Sequence, residues 1–169
     1  MENLIKGMTL VQIYEKYFKD EDTQKLITRE LDEFEQTMDF VYVSGFEDFV
    51  ATLRRQGIKT AVVTSSNLVK MENVYRKRPE FKSYFDAVLT SEDFAESKPS
   101  PDCYLRAAQR FGMTKDECVV FEDSFNGLKS GRAAGMFVVG LATTNSPEAI
   151  APYSDIVVKD YLPLDFSRL

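Results

Sequence analysis

The chain of 169 residues contains no histidine and no tryptophan. Histidine is the commonest general base and a common metal ligand, so its absence excludes serine–histidine catalysis, histidine-ligated zinc and phosphohistidine transfer. Any chemistry must therefore use carboxylate, lysine or hydroxyl groups, or a bound cation. The only two cysteines, Cys103 and Cys118, fall in a helix-like and a strand-like segment, where packing is the expected role and nothing requires a disulfide.

Long apolar runs and blocks of basic charge are also missing. No stretch approaches the length that spans a bilayer, and residues 1–10 lack the charged-then-apolar order of a secretory signal. The net charge is −6, with acidic and basic residues interspersed, so we expect neither nucleic acid nor a membrane surface as a partner. The composition, 44% apolar and 28% charged, is typical of a compact globular protein, which we place in the cytoplasm.

The first forty residues carry the period of two amphipathic helices. The residues that follow this period are Leu10, Ile13, Tyr14, Tyr17 and Phe18 in the first segment and Ile27, Leu31, Phe34 and Met38 in the second. Thr9 is placed to cap the first helix, and Asp22 or Thr23 the second. We therefore predict that residues 1–40 form a partial helical cap and that residues 41–169 form a separate α/β core.

From residue 46 onward, apolar segments of strand length alternate with helical ones. The predicted strands are 58–63, 85–89, 118–121, 136–141 and 156–158, and the main helices are 46–57, 67–76, 101–111 and 125–134. This alternation is typical of right-handed βαβ units. The predicted fold class is therefore α/β, with a Rossmann-like, mostly parallel sheet that carries helices on both faces.

Two adjacent carboxylates follow the apolar run 118–121. Glu122 and Asp123 stand where this predicted strand ends, and ligands of open parallel sheets bind beyond the carboxyl ends of the strands. Two carboxylates suit Mg²⁺, which takes oxygen ligands and often only one or two carboxylates. The alternative is a solvated acidic turn, or acidic residues that complement a helix dipole.

Polar residues also follow the first two strands. Thr64-Ser65-Ser66-Asn67 comes after the first strand, where hydroxyls and free N–H groups at a helix start make an anion site. Simple helix capping is the alternative, and it needs only one such residue. Lys98 lies in Ser97-Lys98-Pro99-Ser100-Pro101 after the second strand; proline stiffens this segment, although a solvated loop lysine is the plainer interpretation. Together, these strand ends predict a phosphate–Mg²⁺ site.

These three segments resemble the second, third and fourth motifs of the haloacid dehalogenase superfamily. The matching stretches are Thr64-Ser65-Ser66-Asn67, Ser97-Lys98-Pro99-x-Pro101-Asp102 and Val119-Val120-Phe121-Glu122-Asp123-Ser124-x-x-Gly127. The chain is most similar to the β-phosphoglucomutase-like phosphatases with a helical cap, and the similarity extends over nearly the whole chain. The resemblance implies a phosphatase of a small phosphorylated metabolite, of the sugar-phosphate type, that uses Mg²⁺.

The resemblance also implies a role for individual residues. Lys98 would neutralise the phosphate and the nucleophile, and Thr64 would bind a phosphoryl oxygen. The resemblance therefore implies that Lys98 and Thr64 are catalytic residues. The implied residues are Thr64, Ser65 and Lys98 for phosphate, Glu122 and Asp123 for Mg²⁺, and Asn67 and Asn126 for the edge of the substrate site.

Two features depart from the family pattern. The first motif of the family carries an aspartate nucleophile in a D-x-D pattern after an apolar strand, and no such segment occurs here. Asp20-Glu21-Asp22 has D-x-D spacing but lies between predicted helices, so no nucleophile is visible. In the mutases of this subgroup an arginine follows a Gly-x-Ser/Thr stretch, whereas Leu10 follows Gly7-Met8-Thr9 here. This difference favours a phosphatase over a mutase.

The missing motif also predicts a folding problem. Its strand lies in the family between the strands that end at Thr64 and at Glu122, and buried strand edges without partners are unfavourable. One hypothesis is that the chain is the C-terminal portion of a longer protein and is inactive by itself. The other is that a strand from another copy completes the sheet, so that the chain self-associates through its open edge.

Two further interpretations of function remain open. The first is a non-catalytic protein that keeps the phosphate–Mg²⁺ site and binds a phosphorylated metabolite without turning it over. The second is a doubly wound domain with another ligand, such as a response-regulator-like receiver, which the helical hairpin fits poorly.

Overall fold

The computed structural model describes residues 10–162 as an α/β fold preceded by a helical hairpin. The helices are α1 (Leu10–Tyr17), α2 (Glu21–Thr37), α3 (Phe46–Arg55), α4 (Leu68–Lys77), α5 (Asp102–Phe111), α6 (Phe125–Ala133) and α7 (Pro147–Ile150), and the strands are β1 (Ala61–Val63), β2 (Ala87–Leu89), β3 (Val119–Glu122), β4 (Phe137–Leu141) and β5 (Ile156–Val158). Within this range, every helix is too short or too polar to cross a bilayer. The predicted cap at Thr9 and the Gly7-Met8-Thr9 stretch lie outside the described residues.

The helical hairpin consists of α1 and α2 and begins its second helix earlier than predicted. The cap is Asp20, not Asp22 or Thr23. The Asp20 carboxylate accepts hydrogen bonds from the backbone N–H of Thr23 at 2.8 Å and from its hydroxyl at 2.6 Å, so the helix is capped two or three residues earlier than predicted. No side chain of either helix is fully buried, which makes the hairpin an appendage and not part of the core.

We expect Asp20→Ala to loosen the start of α2. The substitution removes both hydrogen bonds to Thr23, and the loss of an N-cap lowers helix stability by about 1 kcal/mol. Amide hydrogen exchange at Thr23 should accelerate several-fold. Asp20→Ser is the matched control, because serine retains the capping oxygen. Equal exchange rates in the two variants would show that Asp20 does not cap the helix.

The junction between the hairpin and the α/β part includes an ion pair and a tight turn. Lys70 of α4 forms an ion pair of 2.5 Å with Glu35 of α2, and both side chains are mostly buried. At the turn before α3, Gly45 has a φ of 79°, which favours glycine. A Cβ at this position would lie 2.7 Å from the backbone nitrogen of Leu162, so the turn is held against the end of the described chain.

All described strand pairs are parallel, as the sequence predicts, but they form two sheets. One sheet contains β1 and β2, and the other has the order β3-β4-β5. In the register, Val62 lies opposite Val88 and Phe121 opposite Val139. The two sheets share no backbone hydrogen bond among the described strands. Instead, β1 and β3 both line a mostly apolar cavity of about 600 Å³.

Two predicted element boundaries shift for local reasons. The first strand begins at Ala61 and not at residue 58. The Ile58 N–H donates to the Leu53 carbonyl at the end of α3, and the Thr60 N–H donates to the Asp86 carboxylate, so neither group is available for strand pairing. Helix α5 begins at Asp102 with Pro101 at the N-cap, one residue later than the sequence predicts. The Ser100 N–H is engaged in a turn with the Ser97 carbonyl, so the helix starts after this turn.

The core lies between the larger sheet and the helices that cover it. Leu128, Val138, Val139 and Ile150 are completely buried. Gly131 lets α6 approach β4, since a Cβ there would lie 2.9 Å from a methyl group of Val138. This packing fixes the position of β3, and thereby the carboxylates at its end.

Candidate active site

The segment after β1 forms the start of α4. The Thr64 N–H continues the strand pairing by donating to the Leu89 carbonyl at 3.0 Å, and its hydroxyl accepts from the Ser66 N–H at 3.1 Å. Asn67 is the N-cap, and its side-chain oxygen accepts a hydrogen bond from the backbone N–H of Lys70 at 2.9 Å. One residue therefore caps the helix, and the hydroxyls of Thr64 and Ser65 precede this cap.

Lys98 is a buried cation at the ends of two strands. Its side chain is 6% exposed, so the solvated-loop interpretation does not hold. The ammonium donates to the Val63 carbonyl at the end of β1, at 3.1 Å, and to Glu122 Oε2 at the end of β3, at 2.8 Å. The lysine thus links the first sheet to the second, through the carbonyl of the residue that precedes Thr64.

Both oxygens of Glu122 are engaged within the protein. Oε1 accepts from the backbone N–H groups of Asp123 and Ser124 and from the Ser124 hydroxyl. Oε2 accepts from Lys98 and from the Tyr104 hydroxyl, each at 2.8 Å. Burial alone would raise the pKa of this carboxyl, but the Lys98 ammonium and the hydrogen bonds lower the pKa to about 2. Glu122 is therefore an ionised residue that positions Lys98.

Asp123 is the second carboxylate at the end of β3, and its contacts are with the segment after β4. One of its oxygens accepts a hydrogen bond from the Thr144 hydroxyl, and its backbone carbonyl accepts from the Asn145 side chain at 2.8 Å. Burial, and then the nearby Glu122 carboxylate, raise the pKa of Asp123. A bound cation would relieve both effects, since opposite charge favours the ionised form.

The carboxylates fit Mg²⁺ through Asp123 more readily than through Glu122. Within residues 10–162 there is no group of three acidic, cysteine or histidine side chains that could hold a metal by itself. Mg²⁺ is commonly held by one or two carboxylates together with water and phosphate oxygens, so one available carboxylate is enough for such a site. The metal-binding roles of both residues stay predictions.

Three residues of this cluster are absent from the sequence prediction. Thr144 and Asn145 follow the end of β4, so the rule applied to the other strand ends would have found them. Tyr104 lies on α5, with its ring 4.8 Å from the Lys98 ammonium, and burial raises the pKa of its hydroxyl well above the ordinary value. Nothing in the sequence distinguishes it from a core tyrosine.

Two further predicted residues are neighbours of the cluster in the sequence. Ser65 is half-buried between Thr64 and the start of α4, and Asn126 is half-buried in the first turn of α6. The N-cap of α6 is Ser124, whose hydroxyl accepts from the Gly127 N–H at 3.1 Å. The structure therefore joins the ends of β1 and β3 through Lys98, and joins the segment after β4 to the end of β3 through Asp123.

A parallel α/β fold with polar residues gathered at its strand ends defines the Rossmann-like class of ligand-binding and catalytic domains. Within this class, a family model described as haloacid dehalogenase-like hydrolase matches residues 4–135. The chain belongs to this family of hydrolases.

Several relatives with named activities are phosphatases. Validoxylamine A 7'-phosphate phosphatase of Streptomyces hygroscopicus subsp. limoneus is 30% identical over 120 residues, which cover 71% of this chain and 55% of that protein. Fructose-1-phosphate phosphatase of Escherichia coli is 47% identical over 58 residues, or 34% of this chain and 31% of that protein. The chain thus spans about half or less of the length of these curated relatives.

The fold is also found in solved structures. A haloacid dehalogenase hydrolase of family IA, variant 3, from Entamoeba histolytica has a TM-score of 0.82 at 20% identity. The match covers 97% of this chain and 78% of that one. At this identity the match establishes the fold, and it agrees with the Rossmann-like architecture predicted from the sequence.

Proposed function

We propose that the chain carries the phosphate-binding part of a Mg²⁺-dependent phosphatase that acts on a small phosphorylated metabolite of the sugar-phosphate type. The observation that carries this proposal is the buried Lys98 ammonium, held at the end of β1 by Val63 and Glu122. The names of the phosphatase relatives, which include a fructose 1-phosphate phosphatase, support the substrate class. The cytoplasmic location stays a prediction.

The residues at the strand ends suit a phosphoryl group. The ammonium of Lys98 supplies positive charge, and the start of α4 supplies hydroxyls and N–H groups beside it. Asp123 would hold Mg²⁺, which when bound neutralises charge on phosphoryl oxygens. Because Glu122 stays ionised beside Lys98, the lysine is fixed in position before a substrate arrives, which is the preorganisation that electrostatic catalysis needs.

The proposal includes a requirement for a nucleophile from outside the 169 residues. The family resemblance implies a carboxylate that attacks phosphorus, and the sequence has no D-x-D segment after an apolar strand. We therefore propose that the chain does not turn over substrate by itself and that it functions as part of a longer polypeptide.

The test compares this chain with a version extended by the upstream coding sequence. We expect the extended chain to hydrolyse p-nitrophenyl phosphate with Mg²⁺ and this chain to be inactive. Asp123→Asn should lower the activity of the extended chain by about a hundredfold or more, because it removes the proposed ligand of the cation that stabilises transferring charge. Asp116→Asn, which changes an exposed carboxylate, is the matched control. An inactive extended chain would contradict the proposal.

A phosphate-binding protein without catalysis is the second candidate. It is favoured by the combination of a complete Lys98 site with the missing nucleophile motif. Binding of inorganic phosphate with Mg²⁺ by both chains, without turnover in either, would support this candidate over the enzyme.

A further inference from the structure

We propose that Thr144 is a positioning residue for Asp123, and that its hydroxyl holds the Asp123 carboxylate in the orientation that binds a divalent cation. Thr144 lies in the segment after β4, which none of the motifs recognised in the sequence includes. The inference rests on the proposed function, because it takes Asp123 as the residue that holds Mg²⁺.

The first evidence is a hydrogen bond between the ends of two neighbouring strands. The Thr144 hydroxyl donates to Oδ2 of Asp123, although the two residues are 21 positions apart in the sequence. Strands β3 and β4 pair in parallel, with Glu122 opposite Gly140, so both segments leave the sheet at the same edge. The chain itself therefore fixes one oxygen of the carboxylate.

The second evidence is that the next residue holds the main chain of the same aspartate. The side-chain amide of Asn145 donates to the backbone carbonyl of Asp123 at 2.8 Å, and Asn145 is only 9% exposed. Two adjacent residues thus hold two groups of Asp123, one on the side chain and one on the backbone. These contacts restrict both the position and the rotation of the carboxylate.

The third evidence is that the segment that carries Thr144 is itself anchored on both sides. Before it, the Ala142 N–H donates to the Val158 carbonyl of β5 at 2.8 Å. After it, Ser146 caps α7, and its hydroxyl oxygen accepts from the Ala149 N–H at 3.4 Å. A hydroxyl on an anchored segment can hold a neighbouring side chain in one place, which a binding site requires of its supporting residues.

The donors to Asp123 also leave its charge available. Thr144 and Asn145 are neutral, whereas Glu122 accepts from the Lys98 ammonium at 2.8 Å. A hydroxyl or an amide orients a carboxylate without adding a positive charge. The two carboxylates at the end of β3 are therefore supported differently: Glu122 has a counter-ion from the protein, and Asp123 has donors that suit an added cation.

The small number of acidic groups makes this orientation important. Within residues 10–162 there is no group of three acidic, cysteine or histidine side chains, so much of the affinity for a cation depends on Asp123. Carboxylates that bind metals are usually hydrogen-bonded in turn, and the loss of such a partner typically weakens metal binding by about 10–100-fold. We expect Thr144 to have an effect of this size.

The experiment measures metal affinity with Mn²⁺ as the probe, from the electron paramagnetic resonance signal of the free ion. It uses both the 169-residue chain and the chain extended by the upstream coding sequence. Thr144→Val keeps the shape of the side chain and removes the hydroxyl, so it should weaken Mn²⁺ binding by at least about tenfold. Thr144→Ser should restore most of the affinity, because serine retains the hydroxyl donor.

Thr143→Val is the matched control. It makes the same chemical change one position earlier, at an exposed side chain, and should bind Mn²⁺ as the parent does. In the extended chain, Thr144→Val should raise the half-saturating Mg²⁺ concentration by at least about tenfold. The KM for p-nitrophenyl phosphate at saturating Mg²⁺ should not change. A residue that only stabilised the fold would leave the Mn²⁺ affinity of the folded protein unchanged.

Two results would overturn the inference and leave the proposed function intact. Thr144→Val could bind Mn²⁺ as tightly as the parent while Asp123→Asn binds much more weakly, which would show that Asp123 does not need Thr144. Equal weakening in Thr144→Ser and Thr144→Val would assign the effect to packing and not to the hydroxyl. If Asp123→Asn has the same Mn²⁺ affinity as the parent, the metal-binding role of Asp123 in the proposed function is wrong, and the positioning role of Thr144 is wrong with it.

Discussion

Glu122→Gln is expected to lower the free energy of unfolding by about 3–5 kcal/mol, because it leaves the Lys98 ammonium buried without its counter-ion. The two side chains are 6% and 10% exposed and lie 2.8 Å apart. Lys98→Met should have an effect of similar size, since it leaves the buried Glu122 carboxylate without a counter-ion. Urea unfolding of each variant provides the measurement.

The double variant Lys98→Met with Glu122→Gln separates the ion pair from the packing around it. It removes both charges, while the glutamine oxygen can still accept from Ser124 and its NH2 group can donate to the Tyr104 oxygen, so its loss of stability should be clearly smaller than the sum of the two single losses. Lys25→Ala is the surface control, because its ion pairs are exposed and contribute at most about 1 kcal/mol. Additive single effects would show that Lys98 and Glu122 do not interact.

The same pair predicts a dependence of stability on pH. The pKa of Glu122 is lowered from 4.5 to about 2 in the folded state, so the folded protein binds this proton less readily than the unfolded chain does. The stabilisation by Glu122 is therefore complete above about pH 4.5 and is lost as the pH falls through about 2. The difference in stability between the parent chain and Glu122→Gln should shrink over this interval.

Gly127→Ala is expected to lower the free energy of unfolding by about 3 kcal/mol, at the upper end of overpacking effects. A Cβ at Gly127 would lie 2.0 Å from Cδ and from Oε2 of Glu122, so the buried carboxylate must move away from its donors. Thermal and urea unfolding measure the loss. Lys129→Ala, an exposed site on the same helix, should stay within about 0.5 kcal/mol of the parent.

The substitutions at Gly127 and Glu122 disturb the same hydrogen bonds of the Glu122 carboxylate, so their effects on the free energy of unfolding should not add. In Glu122→Gln the ion pair is already lost, and Gly127→Ala should then have a smaller effect than in the parent chain. An unchanged effect would show that the alanine disturbs α6 alone and not the ion pair.

The parts of the fold that follow from local patterns could be predicted from the sequence. Apolar runs of strand length separated by helical periods indicate parallel α/β architecture, and the structure confirms it. The exact ends could not be predicted, because they depend on side chains that compete for the backbone. Asp86 takes the Thr60 N–H, and the Asp20 carboxylate starts α2 before the residues that the sequence pattern favours.

The placement of Thr64, Lys98 and Asp123 near strand ends was predictable from residue type and strand position, and their binding roles stay predictions. The site was not predictable where a contact between distant elements decides the role. Glu122 has the sequence position of a metal ligand, yet its oxygens are occupied by Lys98, Tyr104 and Ser124. Tyr104 lies on α5 and Glu122 at the end of β3, so only the tertiary fold shows that the two side chains meet.

The turn at Ser44 and Gly45 connects two parts of the chain that are far apart in sequence. The Tyr161 N–H donates to the Ser44 carbonyl at 3.0 Å, which joins the exit of the helical hairpin to the far end of the described chain. During synthesis from the ribosome, the hairpin and α3 emerge long before Tyr161 is available. Contacts of such high sequence separation form late, so the turn at Ser44 and Gly45 closes on Tyr161 only after nearly all of the α/β part has been made, later than the Lys70–Glu35 ion pair can form.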